Sequence, residues 1–482
     1  MKTLSEKKKR KKARKAANAI IERLFQKYGS RLKACVIVNS KGKHLGLDVS
    51  KLVSIYTRFF PTVYQEDSRF YFQYSKKGVW VKVSLLQITK QLKKILHNLY
   101  PDFWKASFNR DIEAILPLTC KIVEQLDKAT DYINLRNGLF SLTTFELEPH
   151  RKKIFSTTQL DFSYDPKARC PEFEKFLSDV FLGNKRLKKI LAEAFGYGLS
   201  PHTEAQKFFL LYSEGSSGKS VVCDVLYHLA GGKEQVSSVA LGDLGHKFQR
   251  SPLYGKILNL STENEPGKFN SQALKSITSG DVMQLEFKGK DPFTDRITAK
   301  LFFAVNTLPV ADDKTFAYMR RVVLIPFLAR FVEKPDKAQK REKKRNPHIK
   351  AKLLRELPGI FNWAMKGLKR LIKNKYQFTK SKVAQRILGA YASEVNPICS
   401  FINDAITANK KSEITQDSLY ATYTVWAKKN GERVESKRNF LKDLRRNLNE
   451  AKIPFDERKS NVKRFFTGIT LNNPSTLSVD EV

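Results

Sequence analysis

One stretch, residues 208–220, most constrains what this chain folds into. It reads FFLLYSEGSSGKS, an apolar run that leads into a Ser/Gly loop ending in Gly218-Lys219-Ser220, and the apolar segment VVCDVLYHLA follows. This order predicts strand, loop and helix, and it matches the phosphate-binding pattern G-x-x-x-x-G-K-[ST] except that Ser213 stands at the first glycine position. Loop N–H groups and a helix N-terminus bind phosphate oxygens. The stretch therefore predicts a nucleoside triphosphate site in an α/β domain. The alternative, a Ser/Gly turn that contains Gly-Lys-Ser by chance, is the weaker interpretation.

The residue types of this loop assign the chemistry of the site. Lys219 is expected to reach the β- and γ-phosphates, and Ser220 is expected to hold Mg²⁺ through its hydroxyl. ATP and Mg²⁺ are therefore the expected cofactors. The residues predicted to bind the nucleotide are Gly215, Ser216, Ser217, Gly218, Lys219 and Ser220.

The charge of the chain indicates its kind of partner. A formal net charge of +40 over 482 residues favours a polyanion, with nucleic acid the first candidate and an anionic membrane surface the second. No apolar run approaches about 18 residues, so no membrane-spanning segment is predicted. The five cysteines form no CxxC pair, so neither a disulfide framework nor a zinc site is predicted, and a reducing compartment is expected.

An apolar segment followed by acids comes after the loop helix. Ile257–Leu260 is a short candidate strand interrupted by Asn259, and Glu263 and Glu265 follow it. An acid at the end of such a strand binds the Mg²⁺ shell or polarises the attacking water. Alone, this short segment indicates a nucleotide site only weakly.

Two further candidate strands carry polar residues at one end. Leu301–Val305 runs into Asn306, which either orients water against the γ-phosphate or caps a turn as a buried side chain. Arg320 and Arg321 precede the strand VVLIPF. This pair either supplies an arginine finger to a neighbouring subunit's nucleotide or makes surface ion pairs, and taken singly the ion pairs are the better-supported interpretation.

Taken in order, these features resemble the superfamily 3 helicases, specifically the poxvirus D5-like and phage/plasmid P4-like primase-helicases, over roughly residues 60–480. In that family a P-loop, an acid-ended strand, a basic hairpin and an Asn-ended strand follow one another. Here these features are Ser213–Ser220, Ile257–Glu265, Leu274–Lys290 and Leu301–Asn306. The resemblance implies an α/β fold with an AAA+-like P-loop ATPase core, an α+β N-terminal domain and a C-terminal winged helix.

The resemblance also implies roles for single residues. Its catalytic residues are Lys219, Glu263, Asn306 and Arg321, with Glu265 and Arg320 as second candidates, and its metal ligands are Ser220 and Glu263. The segment MQLEFKGKDPF resembles the family's pore hairpin, with Lys288 and Lys290 at a tip that suits gripping of a DNA backbone. Without the resemblance, an ordinary surface hairpin with solvated lysines is a fair alternative.

The domain boundaries predicted from these motifs fall at changes of composition. The predicted parts are a basic disordered arm (1–17), a D5-like N-terminal domain (18–184), the superfamily 3 ATPase domain (185–335), a helical linker or lid (336–399), a winged-helix DNA-binding domain (400–471) and a tail (472–482). A winged helix that contacts protein instead of DNA is the alternative for residues 400–471, which the basic charge disfavours. No polymerase-primase domain is expected before the helicase, so primer synthesis is expected from a separate primase or polymerase.

Four local patterns predict details within these domains. Phe70–Tyr74 and the segment after Lys76-Lys77-Gly78 predict a β-hairpin, whose aromatics are expected to be core and not a stacking surface for bases. Asn137-Gly138 predicts a second hairpin turn. LKKILAEAFGYGLS predicts a helix ended by its glycines, and the charged residues 332–352 predict a flexible surface segment.

These features together predict an ATP-dependent DNA helicase that moves on single-stranded DNA as a ring and unwinds duplex during replication of a virus, phage or mobile element. The expected partners are single-stranded and forked DNA and further copies of the chain, a hexamer in the family. No membrane partner is expected, and the expected location is cytoplasmic, at replicating DNA in the host cell. The alternative is an origin-binding initiator in which ATP drives assembly. A GTPase switch lacks support, because Asn374-Lys375 has no accompanying Asp.

Overall fold

The computed structural model describes residues 19–20, 22–40, 44–66, 68–124, 126–127, 131–262, 264, 268–289, 291–311, 319–336, 338–395, 397–450, 453–460 and 462–472. Predictions that concern the basic arm 1–17, Glu263, Glu265, Lys290 and residues 473–482 lie outside this part of the chain. The polypeptide divides into two compact units, each described below by itself. They are Met1–Tyr164 with Gln284–Asp295, and Asp165–Met283 with Arg296–Val482.

The first unit is a mixed α+β structure. Its elements are α1 (22–33), β1 Val36–Val38, β2 His44–Leu47, α2 Val49–Phe59, β3 Thr62–Gln65, β4 Phe70–Tyr74, β5 Trp80–Val83, α3 Leu85–Leu99, α4 Ser107–Thr119, β6 Lys121–Val123, β7 Tyr132–Leu135, β8 Gly138–Ser141 and β9 Leu147–Glu148. A four-stranded sheet has the order β5-β4-β3-β6. Its strands are antiparallel except for β6, which runs parallel to β3.

The core of this unit lies under amphipathic helices. Leu52 of α2, Ile88 of α3 and Ile112 of α4 are all buried in one apolar cluster. Helix α3 begins at a capping box, in which Ser84 and Gln87 each satisfy a backbone N–H of the other. The helices therefore follow from apolar spacing and a local start signal, as the sequence indicates.

The predicted hairpin of β4 and β5 is confirmed. Tyr74 pairs with Trp80 across the turn, and Gly78 adopts the left-handed φ of 79° that the turn requires. Phe70 and Phe72 are buried, so the expectation that these aromatics are core is confirmed for both.

The second predicted hairpin differs in its turn. Leu135 pairs directly with Gly138, so the two loop residues are Arg136 and Asn137 and the glycine already belongs to β8. A Cβ at Gly138 would lie 2.4 Å from the carbonyl oxygen of Glu148 on β9. Gly138 therefore serves the close approach of a third strand and not the turn.

The second unit holds a five-stranded parallel sheet and the C-terminal elements. It contains α5 Pro171–Val180, α6 Lys185–Leu199, β10 Phe208–Tyr212, α7 Lys219–Leu229, β11 Val236–Ser237, α8 Lys247–Arg250, β12 Leu258–Ser261, β13 Lys268–Phe269, α9 Ser271–Ser279, β16 Lys300–Val305, β17 Val310–Ala311, β18 Val322–Pro326, β19 Arg330–Val332, β20 Glu342–Lys344, α10 Ile349–Leu353, α11 Leu357–Lys373, α12 Lys382–Val395, α13 Pro397–Ala405, β21 Ile406–Thr415, α14 Gln416–Lys429, α15 Lys437–Glu450, β22 Asp456–Lys459 and β23 Arg464–Leu471. Between α9 and β16, β14 Val282–Leu285 and β15 Phe293–Arg296 form a hairpin, most of which belongs to the first unit.

The parallel sheet has the strand order β11-β12-β16-β10-β18. The three central strands, β12, β16 and β10, are buried along almost their whole length, which explains why β10 and residues 301–305 of β16 are continuous apolar runs without alternation. Because β10, β12 and β16 run parallel, the loops that follow them leave the same edge of the sheet. That edge is where ligands bind in open α/β sheets.

The glycines of α6 lie inside the helix, which corrects the prediction that they end it. Helix α6 continues to Leu199 through Gly196 and Gly198. A Cβ at Gly196 would lie 2.5 Å from the carbonyl oxygen of Ala364 on α11, and a Cβ at Gly367 would lie 2.3 Å from that of Ala192 on α6. These glycines therefore let the two helices pack backbone against backbone, at a propensity cost of about 1 kcal/mol each.

The charged segment 332–352 is partly regular structure, which corrects the prediction of a flexible surface segment. Strand β20 pairs in parallel with β19, and α10 begins at Ile349. Lys350 of α10 forms an ion pair of 2.7 Å with Asp224 on α7. The charge of this segment reflects a solvated outer face and not an absence of structure.

The C-terminal elements form a small α/β arrangement. Helix α13 begins at Pro397, and β21, β23 and β22 form an antiparallel sheet in that order. Tyr423 of α14 and Phe440 of α15 stack with ring centroids 4.3 Å apart, and Phe401 and Phe466 are buried in the same cluster. Among the described residues, no helix is long and apolar enough to cross a membrane.

Candidate nucleotide-binding site

The strand, loop and helix expected at residues 208–220 are confirmed as β10, residues 213–218 and α7. Within the loop, φ is 126° at Gly215, 45° at Ser216 and 81° at Gly218, whereas Ser213 has no positive φ. Only glycine adopts the conformation of Gly215 without strain. Ser213 therefore fits the first motif position without steric difficulty, and Gly215 is the loop residue whose backbone conformation requires glycine.

Lys219 points across the carboxyl edge of the sheet. Its ammonium donates to the backbone oxygen of Val305 at 2.7 Å and to Oδ1 of Asn306 at 2.6 Å. The contact follows from register, because Tyr212 at the end of β10 pairs with Val305 at the end of β16. Lys219 and Asn306, the residue after the third candidate strand, are thus brought together, as the motif analysis predicts.

The site around Lys219 is poor in compensating negative charge. Burial lowers the pKa of the Lys219 ammonium, and the nearby thiol of Cys223 offsets this only in part. Both groups that accept from Lys219 are neutral. A bound phosphate would supply the missing anion.

Other polar groups of the loop between β10 and α7 also lack hydrogen-bond partners among the described residues. Ser213 and Ser217 are buried, and their hydroxyl oxygens have no hydrogen-bond partner among the described residues. Within the same part of the chain, the backbone N–H groups of residues 214–219 donate to no backbone carbonyl. Orphaned donors at the start of a helix of this length fit phosphate oxygens. Ser220, the predicted magnesium ligand, is exposed at the first turn of α7.

The segment after β12 lies at the same edge. Glu263 and Glu265 are outside the described residues, but Asn264 between them is described. Its side chain accepts from the backbone N–H of Leu241 at 3.1 Å and donates to the backbone oxygen of Ala304 on β16, also at 3.1 Å. Asn264 therefore lies beside β16, the strand that precedes Asn306. Sequence reasoning missed this role, although the polar run Thr262–Glu265 is its signal.

Asn259, which appeared to interrupt β12, is a structural residue. It is fully buried, its Oδ1 accepts from the backbone N–H of Val239 at 2.7 Å, and its Nδ2 donates to the backbone oxygen of the same residue at 2.8 Å. The amide thus joins the segment after β11 to β12, and both of its polar atoms have hydrogen-bond partners in the core.

Arg321 lies at the opposite edge of the sheet from Lys219. Val322 pairs with Phe208, so Arg321 is level with the amino end of β10, and the five residues of that strand span roughly 17 Å at about 3.3 Å each. The Arg321 guanidinium is 7% exposed and donates to Oγ1 of Thr278 at 3.2 Å and to Oγ of Ser279 at 3.1 Å. One chain therefore does not bring Arg321 to its own Lys219, and Arg320 beside it is exposed.

The predicted basic hairpin is present as β14 and β15, and it belongs to the first unit. Lys288 is exposed at its tip, where Gly289 has a φ of 72°. Phe293 packs edge-on against Phe70 of β4 with centroids 6.0 Å apart, and Lys82 lies 2.9 Å above the Phe70 ring. This anchoring of the hairpin on β4 and β5 was missed by sequence reasoning.

Comparisons with known proteins agree with this arrangement of parts. The model described as D5 N terminal like matches residues 5–182, and that described as Poxvirus D5 protein-like matches residues 393–474. This chain belongs to the D5-like family. Residues 211–321 of the D5-like chain, which hold Lys219, Asn306 and Arg321, match a third model described as a family of unknown function (DUF5906).

One curated relative and two solved structures are similar to the D5-like chain. "Putative helicase L207/L206" of Acanthamoeba polyphaga mimivirus is 23% identical over 273 residues, which are 51% of this chain but only 27% of that protein. An apo structure of the C-terminal region of NrS-1 covers 87% of this chain and 98% of its own, at 11% identity and a TM-score of 0.43. Another covers 88% and 100%, at 11% identity and a TM-score of 0.45.

The C-terminal match of the D5-like chain contains a candidate nucleic-acid surface. Arg438 and Lys442, one turn apart on α15, are exposed. Arg445 on the same helix makes a two-pronged ion pair with Glu457 on β22, at 2.6 and 2.9 Å, and this pair lowers the pKa of the Glu457 carboxyl. Arg445 thus holds α15 against β22, while Arg438 and Lys442 remain exposed to solvent.

Proposed function

We propose that this D5-like protein is an ATP-dependent DNA helicase of superfamily 3 that moves along single-stranded DNA as a ring and unwinds duplex during replication of a virus, phage or mobile element. The observation that carries the proposal is the contact of Lys219 with Asn306 across β10 and β16. It joins the phosphate-binding lysine to a polar residue positioned for the γ-phosphate, which is an arrangement for hydrolysis and not for binding alone.

The chemistry assigned to the site follows from these positions. ATP would occupy the loop of Gly215–Ser220, and Lys219 would leave Asn306 for the β- and γ-phosphates. Asn306, once released, would orient the attacking water. Ser220 and Glu263 would hold Mg²⁺, which neutralises charge on the phosphate oxygens when bound. The unpartnered hydroxyl of Ser217 and the free N–H groups of the loop support an anion here.

The opposite positions of Lys219 and Arg321 support a ring. Arg321 lies at the amino edge of the sheet, a strand length of roughly 17 Å from the edge that would hold the nucleotide, so it would serve catalysis in a neighbouring subunit. In the proposed ring, the carboxyl edge of the AAA+-like sheet in one subunit faces the amino edge of the sheet in the next subunit, where Arg321 lies. The family resemblance implies six subunits.

Basic residues outside the ATPase core would bind the DNA. Lys288 at the exposed hairpin tip, with Lys290 next to it in sequence, would grip the backbone of single-stranded DNA. The helices and sheet of residues 400–471 would act as a winged helix that reads forked DNA through α15. Primer synthesis would come from a separate primase or polymerase.

A strand-displacement assay tests the proposal. Lys219→Ala is expected to abolish hydrolysis and unwinding, whereas Lys288→Ala/Lys290→Ala should keep basal hydrolysis but lose its stimulation by DNA. Lys93→Ala/Lys94→Ala removes two exposed lysines of α3, outside both proposed DNA-binding elements, and is the matched control that should unwind normally. A hairpin variant with full unwinding would show that translocation does not use this hairpin.

The alternative function is an origin-binding initiator in which ATP drives assembly instead of translocation. The exposed cations of α15 favour it, since they suit a duplex major groove. In that case, the hairpin variant would keep its DNA-stimulated hydrolysis, and Arg438→Glu/Lys442→Glu would abolish origin binding.

A further inference from the structure

A groove in the first unit has the composition of a nucleic-acid site. It encloses about 910 Å³ between α1, the end of α2 and the β4–β5 edge. Phe59, Phe60 and Tyr74 present half-buried rings to it, and Val81 on β5, 47% exposed, forms part of its floor. A concave surface with several aromatic rings accepts flat, apolar ligands.

The rim of this groove is basic. Arg23, Lys27 and Lys76 line it and are exposed, and among the described lining residues none is acidic. None of the three takes part in an ion pair within the part of the chain that the structure describes. Cations that no neighbouring acid neutralises attract an anionic ligand.

The floor of the groove is held rigidly. The hydroxyl of Tyr56 donates to Oε1 of Gln91 at 2.6 Å and accepts from Nε2 of Gln73 at 2.7 Å. Phe60 packs on Tyr56 with centroids 5.0 Å apart and on Phe59 at 4.9 Å. The rings are therefore positioned before any ligand arrives, which reduces the entropy lost on binding.

A second groove lies at the α2–β3 turn. It encloses about 340 Å³ and is lined by Arg58, Lys121, Lys152 and Lys153 with neighbouring threonines. Residues of the α2–β3 connection line both grooves, Phe59 and Phe60 the first and Arg58 and Pro61 the second. The first groove thus presents aromatic rings, and the second presents a cluster of four cations.

We infer that these two grooves bind single-stranded DNA, with bases stacked on Phe59, Phe60 and Tyr74 and the backbone held by the surrounding cations. Ring stacking in a basic groove is how proteins bind single strands without reading their sequence. In a duplex, the bases are stacked inside and do not reach such rings. The choice of DNA over RNA rests on the proposed function, but the site itself belongs to the first unit, whereas the nucleotide loop belongs to the second, and it needs no ATP.

Fluorescence anisotropy with labelled oligothymidine, using the full chain without nucleotide, tests the charges. Arg23→Glu/Lys76→Glu is expected to weaken binding at least tenfold and to reduce the salt slope by about 1.4, because each phosphate contact on a single strand contributes about 0.7. Lys105→Glu/Arg110→Glu makes the same change of charge on exposed residues outside both grooves and should stay within about twofold. Equal weakening by both double variants would overturn the inference.

A second comparison tests the stacking. Tyr74→Ala is expected to weaken oligothymidine binding about fivefold or more, whereas Tyr74→Phe keeps the ring and should bind as the parent does. If Tyr74→Phe loses as much affinity as Tyr74→Ala, the ring does not stack on a base. Tighter binding of oligouridine than of oligothymidine would overturn the choice of DNA.

The outcomes for the groove and for the proposed helicase are separable. Lys219→Ala should abolish hydrolysis and leave oligothymidine binding unchanged. If the parent protein fails to unwind but the groove variants still lose affinity, the inference stands and the proposed function falls. If Arg23→Glu/Lys76→Glu binds and unwinds as the parent does, the inference falls and the proposed function stands.

Discussion

The ammonium of Lys219 and the carboxamide of Asn306 are joined at 2.6 Å although 87 positions separate them in the chain. The same ammonium would be needed by the phosphates of a nucleotide, so Asn306 competes with ATP for it. In the proposed function, two consequences follow: Asn306 would restrain the lysine before ATP binds, and binding would free the amide to face the γ-phosphate. Binding and the assembly of the hydrolytic site would thus be coupled through one hydrogen bond.

Substitution of Asn306 separates these two consequences. Asn306→Ala is expected to lower kcat for ATP hydrolysis by about 10²-fold, as loss of a single positioned polar group does, while ATP binds at least as tightly because Lys219 is free. Asn306→Asp should instead weaken ATP binding, since a carboxylate would pair with the lysine. Steady-state hydrolysis and nucleotide-binding titrations measure both, with Thr307→Ala as the neighbouring control. A normal kcat in Asn306→Ala would remove this residue from the reaction.

The conformations of the loop predict which of its residues tolerates change. Gly215→Ala places a side chain at a φ of 126°, and because nothing lies within 4 Å of its Cβ, the cost is conformational, about 1–3 kcal/mol. The KM for ATP should rise about tenfold or more if this strain acts on the bound loop. Ser213→Gly, which restores the motif glycine, should change KM by less than about twofold. A larger change in KM for Ser213→Gly than for Gly215→Ala would mean that position 213, and not position 215, is the one that requires glycine.

Much of the candidate nucleotide site could be predicted from sequence because its signals are local. A strand, a glycine-rich loop and a Lys-Ser pair encode both backbone conformation and chemistry within thirteen residues, and the structure has β10, the loop and α7 there. Asn306 was also identifiable, since it directly follows an apolar strand. The roles assigned to Glu263 and Lys290 stay predictions, because both lie outside the described residues.

The features that sequence did not predict depend on distant contacts. Gly196 resembles a helix terminator until α11 is known to cross it, and Asn259 resembles a break in a strand until Val239 is known to bond it. The packing of Phe293 against Phe70 joins residues more than 200 positions apart. Periodicity and composition report one segment at a time, so they contain no information about which segment lies opposite.

Lys300 predicts how stability depends on pH. It is buried in β16, where its ammonium donates to the backbone oxygen of Thr298 at 2.7 Å, and burial lowers its pKa to about 7 against the attraction of Glu204. The pKa of this lysine in the unfolded chain is 10.5, so between about pH 7 and 10.5 the unfolded chain binds one more proton than the folded chain. The free energy of unfolding that is lost through Lys300 is therefore largest below pH 7 and decreases as the pH rises. Lys300→Met should therefore raise Tm most at pH 6 and progressively less towards pH 9. Thermal unfolding checks this, and the exposed Lys185→Met should show no such trend.

The two adjacent arginines are expected to differ in their effects. Arg321→Ala removes buried hydrogen bonds to Thr278 and Ser279 and should lower the free energy of unfolding by about 1–3 kcal/mol, whereas the exposed Arg320→Ala should stay within about 0.5 kcal/mol. Denaturant titration measures both.

Mixing of subunits then decides which arginine acts on a neighbouring nucleotide. Each arginine variant is mixed with Lys219→Ala subunits, which hydrolyse nothing alone. If the arginine acts between subunits, a mixed interface combines an intact lysine with an intact arginine, and hydrolysis should return in part. Recovery with Arg320→Ala but not with Arg321→Ala would assign the finger to the exposed residue and leave Arg321 to position the Thr278–Ser279 turn. No recovery with either variant would contradict a site shared between subunits, because an arginine acting within its own chain is never reunited with Lys219 by mixing.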